Sequence, residues 1–180
     1  MFKKKEKAPL EPQYYESPTG IPTYNYNVYY MTKLEKTIYF LIAFAVGAAV
    51  GYLFYGGIGK DDLGNATTVT YVLDIIVCVL VGGIAGKMFL PIRTQQIIKK
   101  RKNDLRLQFR ELLDALATSI GSGKNIVDSF KSAYDDLSII YNEDASIIKE
   151  LAIILDGNNN NIEIEKSLMD MGLRSGIDDI

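Results

Sequence analysis

The sequence predicts an all-α protein: an N-terminal two-helix transmembrane hairpin followed by a cytoplasmic antiparallel helical bundle. Three observations carry this. Two apolar runs stand close together between Ile38 and Leu90, each long enough to cross a hydrocarbon core of about 30 Å. Basic residues crowd on both outer flanks of the pair and are scarce in the loop between them. Beyond Leu90 apolar residues recur at three- and four-residue spacing, the period of an amphipathic helix.

Residues 1–36 read as a flexible cytoplasmic tail, irregular to about residue 32. Four of the five prolines lie here, Pro9, Pro12, Pro18 and Pro22, and proline at that density opposes helix. Tyr14, Tyr15, Tyr24, Tyr26, Tyr29 and Tyr30 interleave with them. These rings suit a bilayer interface, where an amphipathic aromatic is favoured, with a docking strip for a partner as the second reading. The positive start, Lys3-Lys4-Lys5, is not followed by an apolar stretch, so no cleaved signal peptide is expected.

Residues 37–56 form the first expected membrane helix. The run IYFLIAFAVGAAVGYLFY holds no charge from Ile38 to Tyr55. Residues 57–68, with Lys60, Asp61, Asp62 and Asn65 among glycines, read as an external loop. Residues 69–90 form the second expected membrane helix, which carries Asp74 and Lys87 near its two ends. Lys87 can snorkel to the interface. Asp74 is the one candidate for an intramembrane functional group, with reach to the headgroups as the plainer reading. Cys78, the single cysteine, reads as a small apolar filler.

Lys3, Lys4, Lys5, Lys7, Lys33 and Lys36 precede the first run, and Arg93, Lys99, Lys100, Arg101, Lys102, Arg106 and Arg110 follow the second. The bias of Lys and Arg toward the cytoplasm places both termini there and the loop outside. Gly47 and Gly51 in the first run and Gly82 and Gly86 in the second form two G-x-x-x-G patterns, which let helix backbones approach closely. The cluster Lys99, Lys100, Arg101, Lys102, Arg106 and Arg110 is a candidate contact for anionic lipid or for an acidic partner.

Residues 91–180 make the expected bundle. After Pro91 the pattern changes, and one helix is expected from about Ile92 to Ile120, with Leu105, Phe109, Leu112, Leu113, Leu116 and Ile120 inward and Gly121 and Gly123 as its stop. Asn125 caps a second helix, with Asp128 in its first turn. Its apolar face is Ile126, Val127, Phe130, Ala133, Tyr134 and Leu137. A third helix is expected from Glu143 to Leu155, ended by Gly157 and the asparagine run. A fourth is expected from Ile162 to Met171, ended by Gly172. Ser175 or Gly176 then opens a further segment, so the native chain is expected to continue beyond Ile180.

Composition excludes much chemistry. There is no histidine, which removes the commonest general base and metal ligand. A lone cysteine allows no internal disulfide. The net charge of −2 argues against a nucleic-acid partner. Gly121-Ser122-Gly123-Lys124 fails as a phosphate loop, since Thr118 and Asn125 stand where glycine and Ser or Thr are needed and a helix precedes it. Neither catalysis nor a cofactor or metal is expected.

The stretch LQFRELLDALATSIGSGKNIVDSFKSA and the later Gly172-Leu173-Arg174-Ser175-Gly176-Ile177-Asp178-Asp179 resemble the type II secretion system protein F domain, in its tight-adherence pilus branch. The resemblance covers about seventy-five residues, and the preceding apolar pair fits the same layout. It implies an inner-membrane platform protein that couples a cytoplasmic hexameric ATPase to pilin subunits. It further implies assembly with itself or with other platform proteins, and no hydrolysis of its own. The alternative class is a membrane-anchored helical adaptor or signalling protein.

Overall fold

The computed structural model describes residues 12–16, 22–60 and 64–177. The expectations resting on Lys3, Lys4, Lys5, Lys7, Pro9, Pro18, Asp61, Asp62, Asp178 and Asp179 lie outside the described residues. The chain is mostly helical: strands β1 (Tyr14–Glu16) and β2 (Pro22–Tyr24) precede helices α1 (Lys33–Tyr55), α2 (Thr68–Gly121), α3 (Ile126–Ile140), α4 (Ser146–Asn159) and α5 (Ile164–Ser175). It divides into two compact units, one of residues 30–96 and one that joins the chain up to Tyr29 with the chain from Ile97 onward.

In the first unit α1 and the leading part of α2 are long and apolar enough to cross a membrane. Helix α1 starts before the apolar run because Thr32 and Glu35 form a capping box. The Thr32 hydroxyl accepts from the Glu35 amide at 3.2 Å, and the Thr32 amide donates to Glu35 at 2.8 Å. Helix α2 corrects one expectation. A boundary was expected at Pro91, yet the helix passes through it. Proline removes the amide that would bond one turn back. The helix nevertheless continues past that local loss to Gly121. On the following turn the Thr94 hydroxyl donates to the Leu90 carbonyl at 3.0 Å.

In the second unit the trailing part of α2 packs with α3, α4 and α5. The buried side chains follow the helical period: Leu105, Leu112 and Leu116 from α2, Phe130, Ala133 and Leu137 from α3, Ile147, Leu151 and Ile154 from α4, and Ile164 and Met171 from α5. Leu113, Ile120 and Ile126, expected inward, are about half exposed, because each sits beyond the edge of its helix's buried stripe. The Asn125 side chain accepts from the Asp128 amide at 2.9 Å and caps α3 as its sequence predicts.

Two helix ends differ from expectation. Helix α4 continues through Gly157 to Asn159, with Asn161 taking the left-handed φ of 61° that asparagine tolerates. Helix α5 passes Gly172, and Gly176, at φ 56°, is its left-handed cap, its amide bonding to the Gly172 carbonyl.

The N-terminal segment is the largest correction. An irregular, flexible tail was expected. Over the described residues it forms an antiparallel pair, Tyr14 opposite Tyr24 and Glu16 opposite Pro22, and belongs to the second unit. Thr23, Asn25 and Tyr26 are buried. Proline forbids helix here, but it does not forbid an extended edge strand.

Candidate functional site

Two constellations stand out, one in each unit. In the first, the four glycines named from the sequence form the seam between α1 and α2. A β-carbon built on Gly47 would lie 2.6 Å from the Ala85 β-carbon, and one on Gly86 would lie 2.5 Å from the Phe40 ring. Gly82 faces Phe44 and Gly51 faces Val81. Residue numbers rise along one helix as they fall along the other, so the pair is antiparallel. Only glycine lets the backbones come this close, and the ring edges of Phe40 and Phe44 fill the recesses left by the missing side chains. Gly83 meets nothing within 4 Å and has no such role.

Asp74 tightens the turn that joins these helices. Its carboxylate accepts from the Gly57 amide at 2.9 Å, just past the end of α1. Nearby, the Thr67 and Thr70 hydroxyls both donate to the Gly59 carbonyl, at 3.1 and 2.8 Å. The structure thus gives Asp74 a local bond that its position in an apolar run did not suggest. The Cys78 thiol faces the Ala48 carbonyl at 3.6 Å, consistent with packing.

The second constellation is a buried ion pair in the helical unit. The Arg174 guanidinium grips Glu150 with both arms, Nη1 to Oε1 at 3.0 Å and Nη2 to Oε2 at 2.8 Å. Only 6% and 2% of their side chains are exposed, so this is a pair held away from water. Arg174 Nε also donates to Asp170 at 2.6 Å, and Nη1 to the Tyr24 carbonyl at 3.1 Å. The Tyr26 hydroxyl completes the set by donating to Glu150 Oε1 at 2.8 Å. A buried carboxylate is tolerable only with its charge matched and its lone pairs filled, and this geometry does both.

The electrostatics follow. Burial raises the Tyr26 hydroxyl well above the usual tyrosine range, and the neighbouring Glu150 carboxylate adds to the rise. Desolvation works against the Arg174 charge, but the bonds to Glu150 and Asp170 outweigh it and hold the guanidinium above its ordinary value. Such an arrangement fixes the geometry of the three side chains. Among the described residues no group of three or more His, Cys, Asp or Glu could hold a metal ion.

Glu150 did not stand out by motif, and Arg174 entered only within the segment that carries the family resemblance. A signal existed: Glu150 falls on the helical face of Ile147, Leu151 and Ile154, where a solvated carboxylate does not belong.

The basic cluster divides. Arg101 stacks over the Tyr29 ring at 4.5 Å and the Tyr24 ring at 6.0 Å. Lys102 donates to the Asn27 side chain at 2.6 Å and the Gly176 carbonyl at 3.2 Å. These two thus have partners within the chain. Lys99 and Arg106 line one cleft with Lys102 and Asn103, whereas Lys100 and Arg110 are exposed.

Comparison with protein-family models, with curated proteins and with solved structures finds no match to this chain.

Proposed function

We propose that this chain is a multi-pass inner-membrane platform component of a type II secretion or tight-adherence pilus machine. In this reading α1 and the leading part of α2 form a transmembrane hairpin, both termini are cytoplasmic, and the helical unit takes up motion from a cytoplasmic hexameric ATPase and passes it toward pilin subunits. The role is structural and force-transmitting, with no catalysis of its own. Membrane lipid and further copies or other platform subunits complete the surroundings.

One observation carries this reading. Tyr26 lies before the first apolar helix, Glu150 and Arg174 lie after the second, and the three share one buried hydrogen-bonded cluster. Residues that fold into one unit lie on the same side of a bilayer, so the apolar stretch between them crosses an even number of times. That agrees with the charge bias, which favours the cytoplasm for both flanks. The sequence resemblance supplies the identity of the machine.

The test is co-purification of the detergent-solubilised full chain with a secretion or pilus ATPase of the same cell. Retention by the intact chain, and its loss when residues 92–180 are removed, is the expected result. An intact, helical chain that retains no ATPase overturns the platform role and favours the membrane-anchored adaptor.

A further inference from the structure

We propose that the groove between the starts of α3 and α5 is a docking site for a basic amphipathic helix of a partner protein, which sets an apolar side chain on the groove floor and Lys or Arg on its acidic rim.

The groove has a volume of about 410 Å³, within the size range of ligand-binding clefts. Its floor is Phe130 and Ile164, both part of the buried core. Its walls are Ile126, Val127 and Leu168. Ile126 is 52% exposed although it borders an apolar cleft, so part of its side chain is apolar surface left for a partner to cover. The apolar surface does not end at the groove. Met169 and Leu173 follow Glu165 at four-residue intervals, so the three lie along one face of α5. Both are well exposed. From Glu165 to Leu173 the row runs about 12 Å, about two turns, which matches the reach of anchors at i, i+4 and i+7 on a docked helix.

Charge selects the occupant. Glu163 and Glu165 line the groove, and no Lys or Arg does. Glu163 holds the N-cap position of α5, yet its side chain makes no capping bond. Among the described residues neither carboxylate has a hydrogen-bonded or ionic partner, in contrast to Asp144, Glu150 and Asp170, which Lys149 and Arg174 hold. Lys166 is the next residue on α5 but is not part of the groove lining. Two unpaired carboxylates beside an apolar cleft attract a segment whose apolar side chain is flanked by cations. They repel an acidic segment, and anionic headgroups with it.

This inference stands without the ATPase and pilus readings, and its test uses neither. The probe is a synthetic helix of about 14 residues, with leucine at i, i+3, i+4 and i+7 and lysine elsewhere. A second peptide carries glutamate in place of every lysine. Hydrogen exchange is followed by mass spectrometry on the full chain in zwitterionic nanodiscs. The lysine peptide is expected to slow exchange over residues 126–130 and 163–173 about tenfold or more, to leave residues 105–116 of α2 within about twofold, and the glutamate peptide to slow neither. Glu163 and Glu165 are both exposed, so Glu163→Lys combined with Glu165→Lys leaves the bundle folded and exchanges the preference between the two peptides. Ile126→Ser keeps the rim, removes an apolar wall and weakens the protection by the lysine peptide. Three results would overturn the inference: no slowing in the groove at about 0.1 mM lysine peptide, equal slowing by the two peptides, or protection by the lysine peptide that survives the double reversal.

Discussion

The two units bury opposite things. The helical unit hides Leu112, Phe130, Ile147 and Leu151 and keeps most of its charge outside. The apolar pair does the reverse: Ala43, Gly47 and Gly51 are buried in α1, while Leu53 and Phe54 are each 80% exposed. In water the hydrophobic effect rewards the first arrangement. Where lipid surrounds a helix, apolar side chains gain nothing by turning inward, and association rests on backbone approach at small residues. The two units thus show two packing patterns, and the pattern changes within α2. The buried exceptions are instructive too. The helical unit admits a charge only as the matched Glu150–Arg174 pair, whereas the apolar pair keeps Asp74 at its turn, bonded to a backbone amide.

The sharpest way to break the contrast is to remove one half of the buried pair. Arg174→Gln leaves the Glu150 charge without its partner and is expected to cost about 3–5 kcal/mol, read by urea or thermal unfolding of the helical unit in detergent. A loss below about 1 kcal/mol would mean that water reaches Glu150. The corresponding strike on the apolar pair is Gly47→Val, whose new atoms collide with Ala85. Overpacking of this kind costs about 1–3 kcal/mol, visible as a weakened α1–α2 contact in spin-label distance measurements. Gly83→Ala, one residue from Gly82 but facing open space, is the control and leaves the distances unchanged.

The mildest probe is pH. The Tyr26 hydroxyl is raised in the folded chain, so the folded state holds its proton above the unfolded value near 10. Its contribution is therefore fully present below pH 10 and declines as pH rises beyond that, by at most about 1.4 kcal/mol per pH unit. Subtracting the curve of Tyr26→Phe from that of wild type isolates this slope. Identical curves for the two would show that the Tyr26 hydroxyl is solvated.

Periodicity carried much of the fold. The apolar runs from Ile38 and from Val69 became α1 and the first part of α2, and Asn125 with Asp128 marked the start of α3 to the residue. The glycine seam was legible because its spacing is local. Pro91 misled because proline removes one backbone bond from a helix without forbidding the helix to continue. Gly157 and Gly172 misled because glycine lowers helix propensity without forbidding helix, and packing overrode it. The N-terminal strands and the ion pair were out of reach for another reason. Tyr26 and Glu150 are 124 positions apart, and the Arg174 bond to the Tyr24 carbonyl spans 150. Such partners share no window, and nothing in the proline-rich segment has a period to read.

That separation has a consequence during synthesis. Tyr26 leaves the ribosome long before its acceptor exists. At about 5–20 residues per second, the 124 positions to Glu150 take about 6–25 s to make. Through that interval both apolar helices emerge while Tyr24 and Tyr26 have no helical unit to rest on, and they stay unpaired with it until α4 and α5 are complete. The segment around Tyr26 is made before the helices it rests on and is among the last to find its place.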